Sequence, residues 1–199
     1  MLVMGGGFAA VAVVSSSKAA GGIDQRSGAV AEAPAPETQR FVERVSQEGS
    51  FNEAVRAARP RMRDTFDEGP TLAAYAVANW LHEKGVLADV DVSPEETSTR
   101  FAKKDIEVAR GKRACFVGNV AHIARNPFYP QSFDATLSSE DWDAVNAVAA
   151  RNTGALVEGM RARFCGVVTG VVTYVAASGG RASVVQLAGM FDLPENRNR

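Results

Sequence analysis

The chain has 199 residues, of which 46% are hydrophobic, and a formal net charge of −1 at pH 7. This size and composition predict a single globular core with appendages, and the small net charge argues against a bulk attraction to nucleic acid or acidic membranes. Charge is unevenly distributed: residues 1–99 carry 9 Lys and Arg against 14 Asp and Glu, whereas residues 100–199 carry 13 against 9. The second half is therefore mildly basic.

Residues 1–18 have the character of a targeting segment. They are apolar from Leu2 to Val14 and then run into small residues, as in a signal peptide or membrane anchor. No Lys or Arg precedes the apolar run, and it is shorter than the roughly 20 residues of a bilayer-spanning helix, so a flexible Ala- and Gly-rich tail is the alternative. Residues 19–36 are rich in Ala, Gly and Pro, which predicts a disordered linker.

Residues 37–92 are predicted to form a helical region. Phe41, Val42 and Val45 have the spacing of one helix face, and Ser50 is a cap signal for a second helix that Pro60 interrupts. The region therefore begins with two short helices or one broken helix.

A third helix is predicted after Thr71, which has the character of an N-cap, and Gly85 is its stop signal. Tyr75 and Trp80 lie at helical offsets within it. We expect this aromatic face to pack on the domain that follows.

Residues 93–195 are predicted to form a β domain. Over residues 113–124 the even-numbered positions are mostly small or apolar, as expected of a strand with one face on a core. The run at 142–152 is rich in Ala, which favours a helix, but the preceding turn at 139–141 favours a strand in a hairpin. The predicted strands lie at 113–124, 132–139, 142–152, 161–174 and 182–191. Several short strands after a helical region predict an α+β fold with a small closed barrel.

Two strand motifs carry a family resemblance. The first strand supplies Gly111, Cys115, Val117, Gly118 and Val120, and the fourth supplies Leu156, Gly159, Ala162, Phe164, Gly166, Gly170 and Val172. Over residues 105–193 the chain resembles the five-stranded OB-fold domain of the tRNA-anticodon-like kind found in exported bacterial proteins. The resemblance implies an OB-fold-like β-barrel. The second and third strands are poor in β-branched residues, and residues 151–159 are too few for the helix that many OB-folds place there.

The resemblance also explains the glycines and cysteines. An OB barrel closes through antiparallel first and fourth strands, and sharp coiling there favours glycine, which makes Gly118, Gly166 and Gly170 the predicted bend sites. Cys115 and Cys165 share the outward phase of these strands, so a disulfide between them is expected. Two buried free cysteines are the alternative.

A ligand would be expected at the barrel mouth, where OB-folds bind through the second and third strands and neighbouring loops. The predicted ligand-binding residues are Phe128, Tyr129, Tyr174 and Arg181. No catalytic residue, metal site or cofactor is predicted, since the cysteines lack CxxC spacing and only His82 and His122 could assist them.

These features predict a non-enzymatic OB-fold binding or structural module of the cell envelope. It would be exported, or tethered to the membrane through residues 1–18, and its partner would be an unidentified protein or small molecule. The alternative is a cytoplasmic OB-fold protein that binds single-stranded nucleic acid. That alternative is suggested by six basic residues near the first strand: Arg100, Lys103, Lys104, Arg110, Lys112 and Arg113.

Overall fold

A computed structural model describes residues 36–66, 69–140, 143–175 and 179–197. All of these residues belong to one compact unit, Ala31–Arg199. The predicted targeting segment at 1–18 lies outside the described residues, as does the predicted linker up to residue 35.

The N-terminal part of this unit is helical, as predicted. Its elements are α1 (Pro36–Gln47), α2 (Phe51–Ala58), a 3₁₀ turn (Arg59–Arg61), the two-residue strand β1 (Thr65–Phe66) and α3 (Leu72–Glu83). The Ser50 side chain accepts a hydrogen bond from the backbone N–H of Glu53, and the Thr71 side chain accepts one from that of Ala74. Both side chains therefore cap helices, because each satisfies an N–H that the first turn leaves unpaired.

Helix α3 is the centre of the helical layer. Its residues Tyr75 and Trp80 make contacts on different sides of the helix. The Tyr75 hydroxyl donates to a carboxylate oxygen of Asp134 in the sheet, 3.1 Å away. The Trp80 ring instead lies 5.6 Å from the ring of Phe51 in α2, and its Nε1 donates to the Glu48 carbonyl. The expected aromatic contact with the β domain is thus made by Tyr75, while Trp80 holds the helices together.

The β part contains the five predicted strands. After a 3₁₀ turn (Leu87–Asp89) and the short helices α4 (Thr99–Lys104) and α5 (Ile106–Ala109) come β2 (Arg113–Arg125), β3 (Ser132–Ser138), β4 (Ala144–Ala150), β5 (Arg161–Val175) and β6 (Arg181–Phe191), followed by α6 (Pro194–Arg197). The Ala-rich run is a strand, as the preceding turn indicated. The fold class is α+β.

The sheet closes on itself through hydrogen bonds. Its order is β1-β5-β2-β3-β4-β6, and β6 also pairs with β5, so β2 to β6 form a ring of five strands with β1 added alongside β5. The β2–β5 ladder is antiparallel, whereas β4 and β6 are parallel. Within the ring, each of the five strands thus has two hydrogen-bonded neighbours.

Two apolar cores flank this sheet. The first includes residues from all five ring strands, among them Phe116, Leu137, Val145, Phe164 and Leu187. The second lies between the helices and the other side of the sheet, where Val77 and Leu81 of α3 share a cluster with Cys165 and Met190. The even-numbered β2 residues Ala114, Phe116 and Val120 are buried in the first core, as the alternation predicted.

Close backbone contacts explain several strand glycines. A Cβ added to Gly166 would lie 2.6 Å from the Ala188 carbonyl oxygen, and one added to Gly118 would lie 2.6 Å from that of Ser138. These separations are too short for a side chain, so glycine is required where neighbouring strands approach closely.

Candidate functional site

The two cysteines are joined across the β2–β5 ladder. Cys115 lies directly opposite Cys165 in the register, and their sulfur atoms are 2.09 Å apart. This confirms the predicted disulfide over two free cysteines. Cys165 is fully buried because the helical layer covers this side of the sheet, whereas Cys115 is only partly buried.

An ionic cluster surrounds the disulfide. Both terminal nitrogens of Arg163 donate to the Asp91 carboxylate at 2.7 Å, and one of them also lies 3.2 Å from Cys115 Sγ. The hydrogen bonds from Arg163 hold the pKa of Asp91 below its usual value. Asp91 approaches both sulfur atoms, but the sulfurs are bonded to each other and lack the thiolate form that binds metals. The cluster stabilises the ladder.

A second polar cluster links α3 to the sheet. The Asn126 side-chain amide donates to the Tyr75 hydroxyl at 2.9 Å and to Asp134 at 2.7 Å. Its carbonyl oxygen accepts hydrogen bonds from the backbone N–H groups of Phe128 and Tyr129. The Tyr129 ring stacks on Tyr75 with centroids 4.5 Å apart. One asparagine thus organises the β2–β3 loop against the helix.

Burial dominates the electrostatics of this cluster. Desolvation raises the pKa of the Asp134 carboxyl, while the hydrogen bonds from Asn126 and Tyr75 act in the opposite direction. Desolvation also raises the pKa of Tyr75, and the neighbouring Asp134 charge adds to the effect. The tyrosine therefore stays protonated and acts as a hydrogen-bond donor at neutral pH.

The four predicted ligand-binding residues fall into two groups. Phe128 and Tyr129 lie in the loop after β2, and Phe128 is 48% exposed. Tyr174 lies near the end of β5, and Arg181 at the start of β6 stands over the Phe66 ring at 5.2 Å. Since β2 and β5 are antiparallel, these two groups lie at opposite ends of the β2–β5 ladder. Their role in binding stays a prediction.

A partly apolar cleft beside the sheet is lined by none of these four residues. It is a cleft of about 470 Å³ between the end of β2, the start of β3 and the connection from β4 to β5. Its lining residues are Ile123, Ala124, Arg125, Phe133, Thr153, Leu156, Val157 and Glu158. Sequence reasoning missed it, although the apolar pair Leu156 and Val157 in a connecting segment was a visible signal.

Charged groups stand at the cleft. The Arg125 guanidinium lies 4.6 Å from the Phe133 ring centroid and donates to the Pro130 carbonyl. The Glu158 carboxylate contacts Nδ1 of His122 at 3.1 Å. His122 is exposed, in keeping with a surface position at the end of its strand.

The predicted basic cluster is extensively ion-paired. Arg100 and Lys103 both contact Asp143 at 2.9 Å, and together they lower the pKa of that carboxyl. Arg110 contacts Asp64 at 2.8 Å, and Arg113 contacts Glu96 at 2.8 Å. Four of the six basic side chains are thus engaged by carboxylates.

No protein-family model matches the chain, and no curated protein is significantly similar to it. Among the helices in the described ranges, none combines the length and apolar character needed to cross a membrane.

Proposed function

We propose that this chain is a non-enzymatic OB-fold binding module of the cell envelope, exported or held at the membrane. The fold part of the proposal is supported by the five-stranded ring. Taking β2 to β6 as strands one to five, the first and fourth strands close the ring as antiparallel neighbours. This is the closure that the resemblance to the tRNA-anticodon-like OB-fold domains implies.

The disulfide between Cys115 and Cys165 is the observation that carries the proposed location. Structural disulfides persist in oxidising compartments and are rare in the cytosol, where thiols are kept reduced. Here the bond joins the two strands that close the ring, with one sulfur buried under the helices. A bond in this position contributes to the fold itself, and that contribution exists only where the cysteines are oxidised.

A binding role is favoured over catalysis because the sulfur atoms and the carboxylate that could act as reactive groups are taken up in structural contacts. The cysteine sulfurs are bonded to each other, and Asp134 accepts hydrogen bonds from Tyr75 and Asn126 between helix and sheet. These contacts fix the fold. The cleft beside β2 and β3, by contrast, is an open concave surface of ligand size.

The rival, a cytoplasmic protein for single-stranded nucleic acid, needs cations beside exposed aromatic platforms. The ion pairs of Arg100, Lys103, Arg110 and Arg113 reduce the positive field that such a protein would offer. Phe101, which is 42% exposed, lies within this basic cluster, but the cations beside it, Arg100 and Lys103, both contact Asp143.

Fractionation of the organism's own cells tests the proposal. The full chain, detected by an antibody against the folded unit, should be recovered with the envelope. A gel-shift titration with oligo-dT and oligo-U should show no complex at physiological salt. Recovery in the soluble cytoplasm together with tight, salt-dependent oligonucleotide binding would establish the rival.

A further inference from the structure

The cleft beside β2 and β3 has a wall that is fixed in place. The connection from β4 to β5 is hydrogen-bonded to both backbone groups of Val120 in β2. The Gly159 N–H donates to the Val120 carbonyl at 2.8 Å, and the Val120 N–H donates to the Met160 carbonyl at 2.8 Å. Within the same connection, Leu156 N–H donates to the Thr153 carbonyl at 3.1 Å. The cleft is therefore preformed, which lowers the ordering cost of binding.

The walls of the cleft are largely apolar. Ile123, Phe133 and Leu156 are partly buried and pack against the core enclosed by the strands, while Val157 is 58% exposed. A volume of about 470 Å³ is in the range of small-molecule sites. A ligand with an apolar body would remove these side chains from water.

The charges favour an anionic group on that ligand. Arg125 is exposed, and within the described ranges its guanidinium contacts a ring and a backbone carbonyl but no carboxylate. The carboxylate at the cleft, that of Glu158, is already in contact with His122. A guanidinium binds a carboxylate through charge-assisted, often bidentate hydrogen bonds. A cationic ligand would instead meet Arg125 with a like charge.

We propose that this cleft binds a small amphipathic organic acid, with its acid group on Arg125 and its apolar body against Phe133 and Val157. The inference rests on the proposed binding function, which it deepens by naming a site and a ligand class. An aliphatic acid and an aromatic acid share this chemistry, so both are used as probes.

The test compares acids with neutral molecules of the same shape. Full-length oxidised protein is titrated by calorimetry with decanoate and decanamide, and separately with 2-naphthoate and 2-naphthamide. Loss of one charge-assisted hydrogen bond corresponds to roughly tenfold weaker binding or more. We therefore expect at least one acid to bind saturably, and about tenfold or more tightly than its amide. The arm that binds better identifies the aliphatic or aromatic source.

Variants locate the preference for acid. Arg125→Gln should bind acid and amide equally, whereas Arg125→Lys should keep most of the preference. Val157→Ser removes apolar surface from the wall without adding a charge and should weaken acid and amide alike. The matched control is Arg61→Gln, because Arg61 also stands over an aromatic ring, that of Phe41, but lies in the helical part of the chain and does not line the cleft. Thermal unfolding of each variant verifies its fold.

Three results would overturn the assignment: no saturable binding of either acid, equal binding of acid and amide by the unaltered chain, or a preference for acid that persists in Arg125→Gln. None of them bears on cell fractionation or the redox state of the cysteines. Failure of the cleft and failure of the proposed function are thus distinguishable.

Discussion

Reduction of the Cys115–Cys165 disulfide should strongly destabilise the fold. The bond joins residues 50 positions apart, so it restricts a long loop in the unfolded chain. On the chain-entropy model such a loop contributes about 4 kcal/mol at 25 °C. For a unit of this size, running from Ala31 to Arg199, that free energy corresponds to a fall of roughly 8–16 °C in the melting temperature.

Comparing the oxidised and reduced forms of the unaltered chain isolates the cross-link, because the two forms share every side chain. Calorimetric melting with and without a dithiol reductant measures the difference in melting temperature. Alkylation first shows that the reduced sample carries two free thiols. The Cys115→Ala and Cys165→Ala double variant should melt near the reduced form and be insensitive to reductant. A difference in melting temperature of less than about 2 °C between the oxidised and reduced forms would correspond to less than about 1 kcal/mol of stabilisation. That result would refute the placement of the bond across the ring closure.

Three further predictions concern the helix–sheet cluster and the strand glycines. Tyr75→Phe removes a donor to a partly buried carboxylate and should cost about 1–3 kcal/mol in urea unfolding; an unchanged midpoint would contradict the role of the cluster. Burial raises the pKa of Asp134 above its ordinary value of 3.8, so the native state holds this proton more tightly and the carboxyl's contribution to stability falls as pH rises through the folded pKa. The unfolding free energy of the unaltered chain should therefore fall relative to that of Asp134→Asn from about pH 4 upward. A difference that does not change with pH would mean that the carboxyl is not desolvated. Gly189→Ala would drive a Cβ into the Cys165 carbonyl and should lower the free energy of unfolding by about 1–3 kcal/mol or more. The control Gly49→Ala, whose Cβ would meet only ordinary contact at 3.5 Å, should leave it nearly unchanged. Equal losses of stability in the two variants would contradict the strand spacing.

Strand positions could be predicted because side-chain alternation and glycine placement are local signals. The alternation of Ala114, Phe116 and Val120 marks the enclosed face of β2 directly. Pairing Cys115 with Cys165 additionally required a strand order, which the family resemblance supplied.

Other features depend on contacts between distant parts of the chain. The outward phase of Cys165 indicates a surface position, yet the residue is fully buried because the helical layer packs there. Likewise, the partners of Arg100 and Arg113 are carboxylates 43 and 17 residues away, which spacing along the chain does not reveal.

The cleft was missed for a structural reason. The β2–β3 register shifts between Val120 and His122, so the simple alternation of β2 does not continue to Ile123 and Arg125. A bulge of this kind redirects side chains without a distinct sequence signature. The connection that forms the facing wall, Thr153 to Glu158, is also irregular in structure.

The oxidation state of the cysteines in the cell tests the central proposal most directly. Cells are lysed in an alkylating reagent before any reductant is added, and the protein is captured from each fraction and analysed by mass spectrometry. The proposal predicts a cross-linked peptide pair containing Cys115 and Cys165, recovered from the envelope, with neither cysteine alkylated. Folded protein from its native compartment that carries two alkylated cysteines would contradict it.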